Sequence, residues 1–176
     1  MKARIRTVAI AGAVVALAGV LSATAQAAPS STNGPSFTMW NGNGDGAGGH
    51  PKCLSIEGSG TSANNARAII WDCNGGLEQF WSWTGTHQLK NAKTGKCLSV
   101  AASSTSAGAE LIQYTCADYY APEQAWFVEE EGNYDHFRNG NSRKYLSLDN
   151  GGSVANGTRA IQWWWNTGGE QTWYWL

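Results

Sequence analysis

Apolar residues along 36–176 fall in short runs separated by glycine, asparagine and serine. Phe37 to Asn41, Cys53 to Glu57, Ala68 to Cys73 and Phe80 to Trp83 are the first four. Short apolar runs bounded by turn-forming residues predict β-strands, and no stretch keeps a 3.6-residue apolar period through three turns. The same succession recurs further along, which predicts an all-β domain of about twelve strands.

The recurrence is a triplication. Glu78-Gln79-Phe80-Trp81, Glu123-Gln124-Ala125-Trp126 and Glu170-Gln171-Thr172-Trp173 place their glutamines 45 and 47 residues apart. Upstream lie Lys52-Cys53-Leu54-Ser55-Ile56, Lys96-Cys97-Leu98-Ser99-Val100 and Lys144-Tyr145-Leu146-Ser147-Leu148. Two marks with one period divide the chain into repeats of about 36–84, 85–131 and 132–176, opened by Asn41, Asn91 and Asn139. A unit this small cannot bury its own apolar face, so the three must close around a shared axis.

The cysteines obey the same register. Cys53 and Cys73 are 20 residues apart, Cys97 and Cys116 are 19 apart, and each pair occupies the same two places in its repeat. Four cysteines permit three connectivities, and the repeat register selects pairing within repeats. In the third repeat the equivalent positions are Tyr145 and Trp165, expected to replace the bridge by aromatic packing.

Ahead of the repeats, Lys2, Arg4 and Arg6 precede a 14-residue apolar run, Val8 to Leu21, and then Ala25-Gln26-Ala27. This is the pattern of a signal peptide over residues 1–27 and is too short for a membrane span. Residues 28–35 then form a flexible N-terminal segment, and the protein is expected to be secreted, with disulfides favoured over free thiols. Without the leader the chain has nine basic and thirteen acidic residues, a net charge of −4. That argues against nucleic acid or an anionic membrane as partner. Charged residues make up 14% of the chain, against roughly 25% in an ordinary soluble domain, so its surface is neutral and polar. Ten tryptophans, six tyrosines and four phenylalanines are too many for a disordered chain.

Three units carrying Cys-Leu-x-(Ile/Val), an apolar stretch ending in an aromatic, and a closing Gln-x-Trp resemble the ricin B-chain type lectins and carbohydrate-binding modules. The resemblance implies a β-trefoil, a six-stranded barrel closed by three hairpins, with one shallow potential sugar site per repeat. It also implies core roles for Trp81, Trp126 and Trp173, with the motif glutamines as turn-stabilising hydrogen-bonders.

A sugar site needs an aromatic to stack on the C–H face of the ring and fixed acceptors for its hydroxyls; a carboxylate can bridge two neighbouring hydroxyls. The stacking positions hold Trp71, Tyr114 and Trp163. Where the resembled family carries an aspartate, this chain has Ser55, Ser99 and Ser147; where it carries an asparagine before the motif glutamine, this chain has Glu78, Glu123 and Glu170. Two readings follow: decayed sites, or rebuilt sites in which the glutamate has become the acceptor. The glutamates could equally cap backbone amides in the turn before Gln-x-Trp. Strand alternation adds Glu57 in the first repeat and Asp149 in the third, against Ala101 in the second. This ranks the first site (Ser55, Glu57, Trp71, Glu78, Gln79) and the third (Ser147, Asp149, Trp163, Glu170, Gln171) above the second (Ser99, Tyr114, Glu123, Gln124).

Asn41-Gly42-Asn43-Gly44-Asp45-Gly46 has the opening of a calcium loop, but the twelfth position is Lys52, and a glycine-rich insertion is expected instead. His50, His87 and His136 show no metal-ligand spacing, so no metal or cofactor is expected. Glu129-Glu130-Glu131 reads as a solvated face. Asn156-Gly157-Thr158 has the glycosylation form but the composition of a turn. The expectation is a secreted, monomeric, non-catalytic lectin-like protein binding a glycan or polysaccharide, with galactose- or xylose-containing ligands first. The alternative is a secreted interaction protein on a degenerate lectin scaffold, recognising a protein through a tryptophan-rich surface around Trp163 to Trp165.

Overall fold

The computed structural model describes residues 35–45 and 51–175. The expected signal peptide and residues 28–34, with His50, lie outside them. The twelve strands are β1 (Phe37–Asn41), β2 (Lys52–Ile56), β3 (Ala68–Asp72), β4 (Phe80–Trp83), β5 (Leu89–Asn91), β6 (Cys97–Val100), β7 (Leu111–Tyr114), β8 (Trp126–Glu131), β9 (Tyr134–Asn139), β10 (Tyr145–Leu148), β11 (Ala160–Trp163) and β12 (Trp173–Trp175).

Their pairing closes a barrel. β1 pairs with β4 and β12, β4 with β5, β8 with β9, and β9 with β12. A bridge from Gln88 to Ala125 joins the edges of β5 and β8 and completes a ring of six strands. The other six form the hairpins β2–β3, β6–β7 and β10–β11, each hung on a barrel strand. The hairpins meet one another through the bridges Arg67–Ile112, Ile69–Arg159 and Glu110–Ile161. This is the β-trefoil that the resemblance implied, and the closed ring leaves the barrel no free edge.

Alternation fills the interior. In β1, Phe37, Met39 and Asn41 are buried while Thr38 and Trp40 are half-buried. Trp81, Trp126 and Trp173 are fully buried, and each indole N–H donates to the carbonyl of its own repeat's leucine: Leu54 at 3.0 Å, Leu98 at 3.1 Å and Leu146 at 3.2 Å. A buried indole N–H needs such a partner, and each of the three finds it in the same place of its repeat.

Asparagines tie successive repeats together. Asn41 Nδ2 donates to the carbonyls of Glu170 and Thr172, Asn91 to those of Glu78 and Phe80, and Asn139 to those of Glu123 and Ala125. The glutamate-bearing turn of one repeat is thus pinned by the opening asparagine of the next.

The disulfides are Cys53–Cys73 and Cys97–Cys116, the pairing selected by the repeat register. Each should stabilise the fold by roughly 3 kcal/mol on the chain-entropy account. In the third repeat Tyr145 and Trp165 pack at 4.9 Å between ring centroids, and the Tyr145 hydroxyl donates to Glu129 at 2.7 Å. Gly42–Asp45 forms a 3-10 turn; Asn41 closes it by accepting from Asn43 N at 3.1 Å. Asn156 serves as a turn anchor, its amide bonded to Asp72 and its oxygen to Lys52 and the Asp72 amide.

Candidate functional site

Each repeat carries a depression beside its hairpin, lined by its serine and its half-exposed aromatic. The first is a cavity of about 190 Å³ lined by Ser55 and Ile69, Trp71, Gly58 and Ser59, and Asn74 and Glu78. The third, about 260 Å³, has Ser147 and Ile161, then Trp163, Asn150 and Gly151, with Asp149, Asn166 and Glu170. The second is wider, about 420 Å³, with Ser99, Ile112, Tyr114, Ala102, Ser103, Glu123 and Gln124.

The local chain explains these shapes. After β2, β6 and β10 the backbone turns through left-handed residues: Gly58, Ser59 and Gly60; Ala102 and Ser103; Asn150, Gly151 and Gly152. Only glycine adopts that region freely, so Ala102 and Ser103 hold it under some strain. The loops are fixed by the following repeat: Lys93 donates to Ser59 O, Asn141 to Ser103 O at 2.9 Å, and Asn43 to Gly152 O at 3.1 Å.

The serines are buried floor residues. The aromatics stand half out of the surface at matching exposures, 43% for Trp71, 43% for Tyr114 and 41% for Trp163. Gln79, Gln124 and Gln171 are buried, and their amides close turns: Nε2 donates to the carbonyls of Asp72, Thr115 and Trp164, while Oε1 accepts from the amides of Asn74, Ala117 and Asn166. Gln124 lines the second depression, and its Oε1 also accepts from Gln88 Nε2 at 2.9 Å, whereas Gln79 and Gln171 are absent from the linings of the first and third.

The carboxylates differ by repeat. Glu57 accepts from Arg67 N and Nε, both at 2.8 Å, and is absent from the lining of the first depression. Asp149 lines the third and accepts from Asn150 N at 2.8 Å and from Arg159. The Asn150 amide first, and then Arg159, hold its carboxyl below the usual aspartate range. Glu78 is almost buried and meets Lys93 Nζ at 3.4 Å; Glu170 Oε1 accepts from Asn166 Nδ2 at 2.9 Å.

The turn amides beneath these glutamates have other acceptors. Asn74 Oδ1 takes Gly76 N at 2.7 Å and Asn166 Oδ1 takes Gly168 N at 2.8 Å. Gly76 O and Gly168 O take the amides of Gln79 and Gln171. Capping therefore falls to Asn74 and Asn166. Neither asparagine was among the sequence candidates, although each directly follows the second position of the cysteine register, Cys73 or its counterpart Trp165.

Residues 77–163 match the family model described as "Ricin-type beta-trefoil lectin domain-like". Among solved structures, the designed threefold-symmetric protein ThreeFoil superposes with a TM-score of 0.72 at 26% identity, over 80% of this chain and 97% of that one. An exo-β-1,3-galactanase from Clostridium thermocellum gives 0.71 at 26% identity, over 84% of this chain but 30% of its own. The Macrolepiota procera ricin B-like lectin, solved in complex with lactose, gives 0.66 at 18% identity, over 81% and 94%. A search of curated proteins found no match. The threefold barrel, the buried Gln-x-Trp turns and these likenesses lead to one assignment: the chain has the β-trefoil fold, and its residues 77–163 are similar to the ricin-type β-trefoil lectin-like family.

Proposed function

We propose that this protein is a secreted, non-catalytic, monomeric lectin whose shallow pockets each hold one sugar ring of a glycan or polysaccharide. The observation that carries the reading is a half-exposed tryptophan in one depression with a glutamate, in the first and third repeats. The indole would take the C–H face of a pyranose and the carboxylate its hydroxyls. Ser55, Ser99 and Ser147 supply a small polar floor, and the motif glutamines hold the turn. Galactose-containing ligands are first choices, because relatives are described as a lactose complex and a β-1,3-galactanase; xylose-containing ones follow.

The test is binding of the purified protein to neutral disaccharides (lactose, xylobiose, cellobiose and mannobiose) and to galactan and xylan. Binding removed by Trp71→Ala or Trp163→Ala, and weakened by Glu78→Gln or Glu170→Gln with the melting temperature held, supports the proposal. Silence across the panel overturns it and favours a scaffold that recognises a protein. That alternative draws on Trp163 to Trp165, all exposed, but Lys144 Nζ lies 3.7 Å from the centroid of the Trp164 ring and Trp165 packs on His136 and Tyr145. Each of the three aromatics thus has a different neighbourhood.

A further inference from the structure

Glu78 and Glu170 are each held between two glycines. A Cβ on Gly60 would lie 2.8 Å from Glu78 Cβ, and one on Gly76 would lie 2.7 Å from Glu78 Cδ and closer still to its carboxylate oxygen. In the third repeat a Cβ on Gly152 would lie 2.9 Å from Glu170 Cβ, and one on Gly168 would strike the Glu170 carboxylate. Real Cβ atoms do not approach so closely.

Gly60 and Gly152 also have positive φ, so two demands coincide there. Gly76 and Gly168 are different. Their backbone is ordinary and extended, φ −67° with ψ 143° and φ −77° with ψ 145°, open to any residue. Glycine at these two places provides space for the folded-back carboxylate.

The second repeat lacks every part of this seat. Ala121 takes the place of Gly76 and Gly168, as its carbonyl shows by accepting the Gln124 amide in the same way. The loop after β6 leaves its left-handed conformation one residue early, so that Ser104, with φ −60°, follows where Gly60 and Gly152 stand elsewhere. Ala117 replaces Asn74 and Asn166, and the turn is two residues longer. The first and third repeats share the unit Asn-x-Gly-x-Glu, at 74–78 and 166–170; the second reads Ala-Pro-Glu before its glutamine.

We infer that Gly76 and Gly168 are positioning residues that seat the glutamate as a hydroxyl acceptor, so that the chain carries two sugar sites selective for neutral pyranoses, the second repeat being silent. This rests on the carbohydrate reading above. A fixed carboxylate can bridge two neighbouring hydroxyls, whereas it repels the carboxylate of a uronic acid, more strongly in the third site than in the first, where Lys93 Nζ lies 3.4 Å from Glu78. Two sites on one rigid barrel also make the protein bivalent toward a repeating polysaccharide.

The experiment is calorimetric titration of the full chain with whichever of lactose, xylobiose, cellobiose and mannobiose binds best, alongside digalacturonic acid. The wild type should take two equivalents of the neutral sugar and none of the acidic one. Gly76→Ala and Gly168→Ala should each remove one site, weakening it about tenfold or more, while the melting temperature stays within about 2 °C. Asn166→Ala provides a second route to the same loss should Gly168→Ala fail to fold. Three equivalents in the wild type, equal binding of digalacturonic acid, or glycine variants that bind like the wild type overturn the inference while leaving the lectin reading standing. Wild-type silence toward the whole panel removes both.

Discussion

Trp173 and Leu146 are joined by an indole-to-carbonyl hydrogen bond of 3.2 Å with both residues fully buried. The same bond links Trp81 to Leu54 and Trp126 to Leu98, so the barrel is braced at three equivalent places. Trp173→Phe would shrink the core and leave the Leu146 carbonyl unpaired, a combined cost of about 2–4 kcal/mol. Urea unfolding should show a lower midpoint with an unchanged slope. Threefold equivalence requires similar costs for Trp81→Phe and Trp126→Phe; a change under about 0.5 kcal/mol at any of them would contradict it.

These tryptophans lie in the part of the molecule that can be read from residue types alone, because identical residues at one period must occupy equivalent places. The cysteine pairing and the closed threefold barrel follow from the same logic. Glu57 shows where that logic stops. Alternation places it on the same face as Ser55, but β2 ends at Ile56 and the chain then enters the left-handed loop, which turns Glu57 toward Arg67. The glycine seats are hidden for another reason. A sequence shows that a residue has no side chain, and only coordinates show what the missing Cβ would have struck.

Asp149 gives a pH dependence with a definite sign. Its carboxyl is depressed by the Asn150 amide and by Arg159, so the folded state favours the charged form. The resulting stabilisation is complete above the ordinary aspartate value of about 3.9 and disappears as pH falls from there through the lower folded value. Arg159 is 42% exposed, which keeps the contribution to about 1 kcal/mol or less. Asp149→Asn should therefore lower the melting temperature slightly at pH 7, with the gap to wild type closing toward pH 3 and narrowing in 1 M salt. A gap that widens on acidification would refute the assignment.

Tyr145 and Trp165 occupy the places of a cysteine pair, 20 residues apart like Cys53 and Cys73. Replacing both by cysteine should close a third bridge without rearranging the backbone. The gain of about 3 kcal/mol is offset by the lost aromatic pair and by the Tyr145–Glu129 hydrogen bond, about 1 kcal/mol each, leaving a net change near +1 kcal/mol. Titration of the unfolded, unreduced variant should find no free thiol, and reduction should lower its melting temperature more than that of the wild type. Two free thiols would mean that the third repeat departs from the register of the first.

Trp163 and Trp164 are neighbours with different surroundings, and that difference separates the two functional readings. Trp163 lines the third depression with Glu170, whereas the Trp164 ring lies against the Lys144 ammonium, an arrangement worth about 0.5–2 kcal/mol. If the protein works through its sugar sites, Trp163→Ala removes binding at the third site and Trp164→Ala leaves affinity for the same disaccharide unchanged. Trp164→Ala should instead register as a stability loss of about 1 kcal/mol, since Lys144 is nearly buried and would lose the ring while keeping its bond to Thr105 O at 2.7 Å. The reverse pattern, with sugar titration unaffected by Trp163→Ala while Trp164→Ala abolishes retention of a protein partner, would transfer function from the pockets to the tryptophan-rich surface.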